Sequence, residues 1–238
     1  MSRIIYEYKI KSIIDHTKTI REVILEIVNP AEFKFKAGQF VMLHVPVEGS
    51  KAVLRAYSIA SADQDVKSFS LLFKYVDTGK ASEYIWALSG HEILNFTGPF
   101  GKVFFQEPPT DQIIFLNTGS GLSQHMCFLL SKMEQYPNLK YKLFFGVRSE
   151  ADIYFEAELK KIQKQIPYFE YSYVLSRPTD SWTGKKGYVQ NYLNTIDYKN
   201  IPTTFYLCGN GGMIKDVKHQ LLEIDGLDKA QVWSEAFD

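Results

Sequence analysis

A chain of 238 residues can form two modest domains or one large one, and its 45% hydrophobic and 23% charged residues exclude the disordered and fibrous classes. Lys and Arg together number 27, as do Asp and Glu, so the formal net charge is zero and a broad surface for nucleic acid or acidic membrane is excluded. Two cysteines, Cys127 and Cys208, are too few for a disulfide framework and form no CxxC or Cys/His cluster, so no metal or iron–sulfur centre is expected. "MSRIIYEYKIKSII" lacks a signal-peptide core, and no apolar run approaches the ~20 residues that span a bilayer. The expectation is a cytoplasmic protein with no membrane span.

In chain order, "IIYEYKIKSII" alternates with period two, as do parts of "REVILEI", "QFVMLHV" and "SFSLLFKYV", which predicts short strands. Asn29-Pro30, Lys36-Ala37-Gly38 and Asp77-Thr78-Gly79 are the turns between them. One amphipathic segment, "ASEYIWAL", interrupts the series, and "GPFGKVFF" is a double-glycine turn that closes it. This rhythm predicts an antiparallel barrel or sandwich. "QEPPTDQ" holds the only Pro-Pro pair and marks a boundary, dividing the chain into residues 1–107 and 108–238.

Beyond it the pattern becomes strand–helix. "IIFLN" leads through Gly-Ser-Gly into the helical run "LSQHMCFLLSKMEQ"; "YKLFFGV" precedes the helix "ADIYFEAELKKIQKQ"; "FEYSYVL" is followed by a short helix at "YVQNYLN". "TFYLCG" leads into "GGMIKDVKHQLLEI", and "AQVWSEAF" closes the chain. Such alternation predicts a parallel sheet covered on both faces.

Ligands of open parallel sheets lie beyond the carboxyl ends of the strands. In "NTGSGLS", Gly119 and Gly121 permit close backbone approach and the following helix offers N–H groups to a phosphate, although a tight turn alone would also use them. In "LCGNGGM", Cys208 takes the last strand position with its sulfur expected to face the cleft; a small buried hydrophobe is the plainer alternative. "GVRSEAD" offers Arg148, with Ser149 or Asp152 as a helix cap. "SRPTDSWTGKKGYVQ" offers Ser176, Arg177, Lys185, Lys186 and Tyr188, either a solvated loop or a further phosphate site with Tyr188 stacking on a purine.

In the first half, "LRAYSIAS" sets Arg55 in what reads as a partly buried strand, where an inward guanidinium requires an anion. "GKASEYI" places Gly79, Lys80, Ala81 and Ser82 before a helix, with Ser82 either a plain N-cap or part of a turn whose N–H groups meet a diphosphate.

Together these stretches resemble the ferredoxin–NADP+ reductase superfamily over nearly the whole chain. "RAYS" (Arg55, Ala56, Tyr57, Ser58) resembles its flavin motif RxYS, "GKAS" its GxxS partner, and "GPFGKVF" the turn closing the flavin barrel. "TGSG" (Thr118, Gly119, Ser120, Gly121) resembles the nicotinamide turn, and "GVRSEADIYFEAEL", "LCGNGGMIKDV" and the closing "EAF" also fit. The resemblance implies an N-terminal antiparallel Greek-key β-barrel that binds FAD, followed by a C-terminal parallel α/β domain that binds NADP(H) or NAD(H).

It further implies that Arg55 pairs with the flavin diphosphate, Tyr57 packs on the isoalloxazine and Ser58 hydrogen-bonds near N5. Ile59 continues the strand beside the flavin with backbone groups, and Gly79 and Ser82 hold the diphosphate. Ser58, Cys208 and Glu235 form the implied catalytic group; Gly209 and Met213 belong to the nicotinamide turn, and Phe237 covers the flavin until nicotinamide displaces it. Gln124 stands where the family commonly carries proline, which alters the stiffness of that loop.

Ser176, Arg177, Lys186 and Tyr188 have the spacing of NADP(H)-using relatives, with Arg148 assisting, so NADPH is favoured over NADH. The implied activity moves electrons between NAD(P)H and a separate carrier, a ferredoxin or flavodoxin, that docks on a basic patch at the flavin edge. A free-flavin reductase, or the reductase component of an oxygenase, is the alternative.

Overall fold

The computed structural model describes residues 4–237. The chain divides into two units: Met1–Phe104 with Met126–Ser131, and Phe105–His125 with Lys132–Asp238. The short amphipathic strands and the strand–helix alternation thus separate into different bodies.

The first unit is built on β1 (Tyr6–Asp15), β2 (Ile20–Asn29), β3 (Phe40–Val45), β4 (Val53–Ser58), β5 (Ser68–Lys74), helix α1 (Lys80–Trp86) and β6 (Ile93–Phe100). Its six strands form one antiparallel sheet in the order β4-β3-β6-β1-β2-β5. Just beyond β4 the chain bridges to β5 through Ile59 and Leu71, and the Ala60 N–H donates to the Ser70 carbonyl at 2.9 Å, so the sheet curls until its two edges meet. Alternation aims one side of each strand inward. That side carries an aromatic cluster in which the Tyr8 ring lies 4.6 Å from Phe69 and 5.6 Å from Phe96.

The second unit contains β7 (Gln112–Thr118), the first turn of α2 (Leu122–Lys132), β8 (Lys140–Val147), α3 (Glu156–Gln165), β9 (Phe169–Leu175), β10 (Lys185–Lys186), β11 (Thr203–Gly209), α4 (Gly211–Lys218) and β12 (Val232–Ala236). The strands are all parallel, in the order β10-β9-β8-β7-β11-β12. Strands buried on both faces read as near-continuous apolar runs, and β11 is buried throughout. On one face Ile114, Leu116, Phe205 and Leu207 pack with Met213, Ile214 and Val217 of α4. The other face carries Phe115, whose ring lies 4.9 Å from that of His125 on α2. Chain order reverses between β7 and β11, and this is where a doubly wound sheet opens its crevice.

Two helices differ from the sequence expectation. "ADIYFEAELKKIQKQ" is not one helix: a single 3-10 turn spans Glu150–Asp152, and α3 starts only at Glu156 after Phe155 adopts φ 58°. Tyr154 and Phe155 are buried there, so core packing of two aromatics overrides helical continuity. "YVQNYLN" is a 3-10 helix over Val189–Thr195. Among the described residues, no helix is long and apolar enough to cross a membrane.

Candidate active site

In the first unit, β4 brings Arg55, Ala56, Tyr57 and Ser58 to an edge of the curled sheet. Arg55 does not point inward as its setting suggested: Leu54, Arg55 and Ala56 are all exposed, because an edge strand leaves that side uncovered. Its guanidinium donates to the Leu54 carbonyl at 2.9 Å, and no carboxylate pairs with it among the described residues. Tyr57 is half-buried with its ring 4.4 Å from Phe73, and burial pushes its phenol up to about 12. Ser58 is 4% exposed, and its hydroxyl is buried without a hydrogen-bond partner. Ile59 is fully buried, and its N–H donates to the Gln39 carbonyl.

Native structures pair almost all buried hydroxyls. A buried, unpartnered Ser58 Oγ next to an exposed and unneutralised arginine suits a ligand with a polar ring edge and an anionic tail. FAD fits this chemistry.

Gly79 is the N-cap of α1, so Ser82 is not the cap that the sequence allowed. The Ser82 hydroxyl instead accepts the Val76 N–H at 2.9 Å, closing the turn. The first intrahelical bond runs from the Glu83 N–H to the Gly79 carbonyl, which leaves the amides of Lys80, Ala81 and Ser82 without helical acceptors. Thr78, at φ 60°, makes the reversal that aims them.

In the second unit, two glycine turns meet where β7 and β11 end. The Asn210 N–H donates to Thr118 Oγ1 at 2.8 Å, tying one turn to the other. A Cβ on Gly121 would lie 2.4 Å from the Cys208 carbonyl oxygen, and one on Gly209, at φ +121°, 2.4 Å from Thr118 Oγ1. Gly119 has φ 53°, and its carbonyl accepts the Tyr154 hydroxyl; Ser120 offers its carbonyl to Ser123 Oγ. Asn210 caps α4 by accepting the Met213 N–H. This backbone-lined cradle, with a helix following each turn, suits a pyrophosphate.

Register places Asn117, Cys208 and Glu235 side by side on β7, β11 and β12. Cys208 is fully buried rather than facing an open cleft, since α2 covers this face of the sheet. Burial, and then the neighbouring Glu235, push its thiol well above its ordinary range. Burial likewise raises Glu235 to about 7, against the lowering effect of a hydrogen bond donated by Gln124 Nε2 to its carboxylate. Phe237 is half-buried and donates its N–H to the Gly209 carbonyl.

Neither Gln124 nor the Asn117–His125 pair was singled out as a site. The available signal was "SQH" opening an otherwise apolar helix, directly after the same glycine turn.

A third group lies at the ends of β8, β9 and β10. The Arg177 N–H donates to the Arg148 carbonyl at 2.7 Å, and the Ser176 N–H to Val147. Lys186 pairs in register with Leu175, which brings Arg148, Ser176, Arg177 and Lys186 together, all three cations exposed. Tyr188 follows, 62% exposed. Ser149 and Asp152 close the helical turn through a 2.8 Å side-chain bond, as a capping pair should. Glu150 enters unforeseen: it accepts both the hydroxyl and the N–H of Thr179, bonds that with the Lys186 charge hold it below the usual carboxylate range.

An antiparallel sheet with a buried orphan serine, joined in one chain to a parallel sheet with a glycine cradle, defines a two-domain oxidoreductase that binds a flavin and a nicotinamide dinucleotide. Residues 7–105 match the oxidoreductase FAD-binding domain, and residues 115–219 the oxidoreductase NAD-binding domain. The chain is 30% identical over 227 residues to "Ferredoxin--NADP reductase B" of Sorangium cellulosum, covering 92% of each protein. It is also 30% identical over 223 residues to "Phenol hydroxylase P5 protein" of Acinetobacter pittii, covering 92% of this chain but 62% of that one. A crystal structure of a ferredoxin NADP+ reductase from Neisseria gonorrhoeae, with bound FAD and NADP, superposes with a TM-score of 0.83 at 22% identity over 99% of each chain. The chain belongs to the ferredoxin–NADP+ reductase superfamily and is a flavoprotein oxidoreductase.

Proposed function

We propose that the protein moves electrons from NADPH to a separate one-electron carrier, a ferredoxin or flavodoxin, in the cytoplasm. Residues 1–107 would hold FAD and residues 108–238 the nicotinamide nucleotide. The observation that carries this reading is the relative named a ferredoxin–NADP reductase, matched over 92% of both lengths.

When bound, FAD supplies a centre that takes up two electrons together and passes them on singly. Arg55 would neutralise the diphosphate, joined by the amides at the start of α1, and Ser58 Oγ would be available to a polar edge of the ring. Tyr57 offers its face to the ring, and its neutral phenol adds no charge there. The glycine cradle positions the pyrophosphate of the incoming nucleotide, while Arg148, Arg177 and Lys186 supply the cations that a 2′-phosphate requires and a ribose diol does not. Cys208 and Glu235, at the base of the cradle, exclude water, and the Glu235 carboxyl holds or releases a proton near neutrality. Hydride transfer needs alignment and dryness more than a strong acid or base.

Anaerobic mixing of the as-purified protein with NADPH or NADH, followed at the flavin absorbance, tests this reading. Bleaching of a resident flavin, faster with NADPH, is expected; colourless, properly folded protein that cannot be reconstituted with FAD refutes it. Docking of an acidic carrier further predicts a rate that falls steeply as salt rises, and a salt-independent rate counts against that partner. A relative named a glycine betaine monooxygenase reductase subunit, 29% identical over 230 residues, favours one alternative, service as the reductase of an oxygenase. Preferential reduction of an oxygenase component over ferredoxin and flavodoxin would select it.

A further inference from the structure

Residues 124 and 125 differ from the apolar helix that follows them: Gln124 and His125 are both 0% exposed. Successive helix residues diverge by about 100°, so their side chains reach different strands. Gln124 Nε2 donates to the Glu235 carboxylate on β12, and His125 Nδ1 lies 3.0 Å from Asn117 Nδ2 on β7. The strand between them is β11, and the residue in register with both Asn117 and Glu235 is Cys208. The start of α2 therefore straddles Cys208 with two polar attachments, one on each flanking strand.

Gln124 carries a side-chain donor and uses it on the carboxylate placed in register beside Cys208. We propose that Gln124 is a positioning residue that fixes the Glu235 carboxylate in line with Cys208 and, through this amide, favours its charged form over its protonated one. The inference rests on the nicotinamide role given to Cys208 and Glu235 above.

The surroundings of Glu235 leave Gln124 as the controlling partner. From β11 the titratable neighbour is Cys208, whose thiol stays protonated. From α2 the imidazole of His125 is pushed down to about 3 by burial and carries no charge at neutral pH. On α4, which packs on the opposite face of the sheet, Lys215 and Asp216 are exposed and Lys218 half-buried. Burial raises Glu235 and the Gln124 bond opposes it. A hydrogen bond to the ionised form favours that form, so losing it drives Glu235 further upward.

The test is a pH titration of the Glu235 side-chain carboxyl by carbon-13 NMR on holoprotein labelled at glutamate, assigned by the signal that vanishes in Glu235→Gln. Wild type should titrate near neutrality, and Gln124→Leu should move the midpoint up by about one pH unit, equivalent to ~1.4 kcal/mol. The pH at half-maximal flavin reduction by NADPH should move equally, and in the Glu235→Gln background Gln124→Leu should not alter the pH profile. Gln124→Met serves if the leucine variant melts early. An unmoved midpoint in a well-folded variant overturns the proposal, as does a wild-type Glu235 that titrates with ordinary surface carboxylates. A protein without resident FAD whose Glu235 midpoint still shifts would sink the electron-transfer reading and leave the positioning role standing.

Discussion

Gly121→Ala tests the cradle most directly, because the position requires glycine for steric reasons alone. A Cβ there would meet the Cys208 carbonyl oxygen at 2.4 Å, its carbonyl carbon at 2.6 Å and the Gly209 nitrogen at 2.8 Å. These are backbone atoms inside the buried end of β11, so no side chain can rotate away. Ordinary contact begins near 3.4 Å, and the turn or the strand end must separate by about 1 Å. Overpacking of this kind costs roughly 1–3 kcal/mol, or a melting temperature lowered by about 3–10 °C in a chain of this size. Displacing a positioning group by about 1 Å can cost on the order of 100-fold in rate. The separation falls between the two glycine turns, so the nicotinamide side should bear it while the flavin unit is spared. The assay pairs a thermal melt with NADP+ affinity and flavin content. Affinity should fall at least about tenfold with flavin content unchanged, whereas Gly212→Ala, whose Cβ would press only on Asn210 Oδ1 at 3.0 Å, should leave both nearly intact. A Gly121→Ala protein that melts and binds like wild type would refute the reasoning.

Ser58→Ala removes a buried hydroxyl with no partner in the chain. The apoprotein should therefore melt no lower than wild type, while flavin reduction slows about five- to tenfold for one lost hydrogen bond; a destabilised apoprotein would show that Ser58 is structural. Arg177→Ala should raise the Michaelis constant for NADPH far more than that for NADH, and equal effects would place the 2′-phosphate elsewhere. Glu235→Gln should change how stability depends on pH. Because the folded carboxyl is raised to about 7 from an ordinary 4.5, the native state binds the extra proton between these values, so wild-type stability falls as pH rises through that window and levels above it. The variant lacks this slope and should gain about 5–10 °C on wild type between pH 5 and pH 8; parallel melting curves would refute the raised carboxyl.

The legible parts of this fold were those with a local period. Strands β1, β2, β3 and β5 announce themselves by alternation, and β7, β8, β9 and β11 by short apolar runs ending in glycine or polar residues. β6 was not read as a strand, since "ILNFTGPF" carries a Gly-Pro pair that signals a turn, yet it sits between β3 and β1 in the sheet. Tertiary pairing on both sides holds extended a segment whose local chemistry argues otherwise.

The same distinction runs through the site. Glycine turns can be read because the backbone demand is written in the residue itself. Arg55 was misread as inward because exposure depends on which strand lies at the sheet edge, a property of the strand order β4-β3-β6-β1-β2-β5. The row Asn117, Cys208 and Glu235 is more remote still, assembled from positions up to 118 residues apart by parallel register alone. A one-residue slip of β12 against β11 would turn Glu235 to the opposite face of the sheet. The bond from Gln124 thus anchors register as well as charge: only in the native pairing does that amide find the carboxylate, so the contact that tunes the proton also selects the strand alignment that places it beside Cys208.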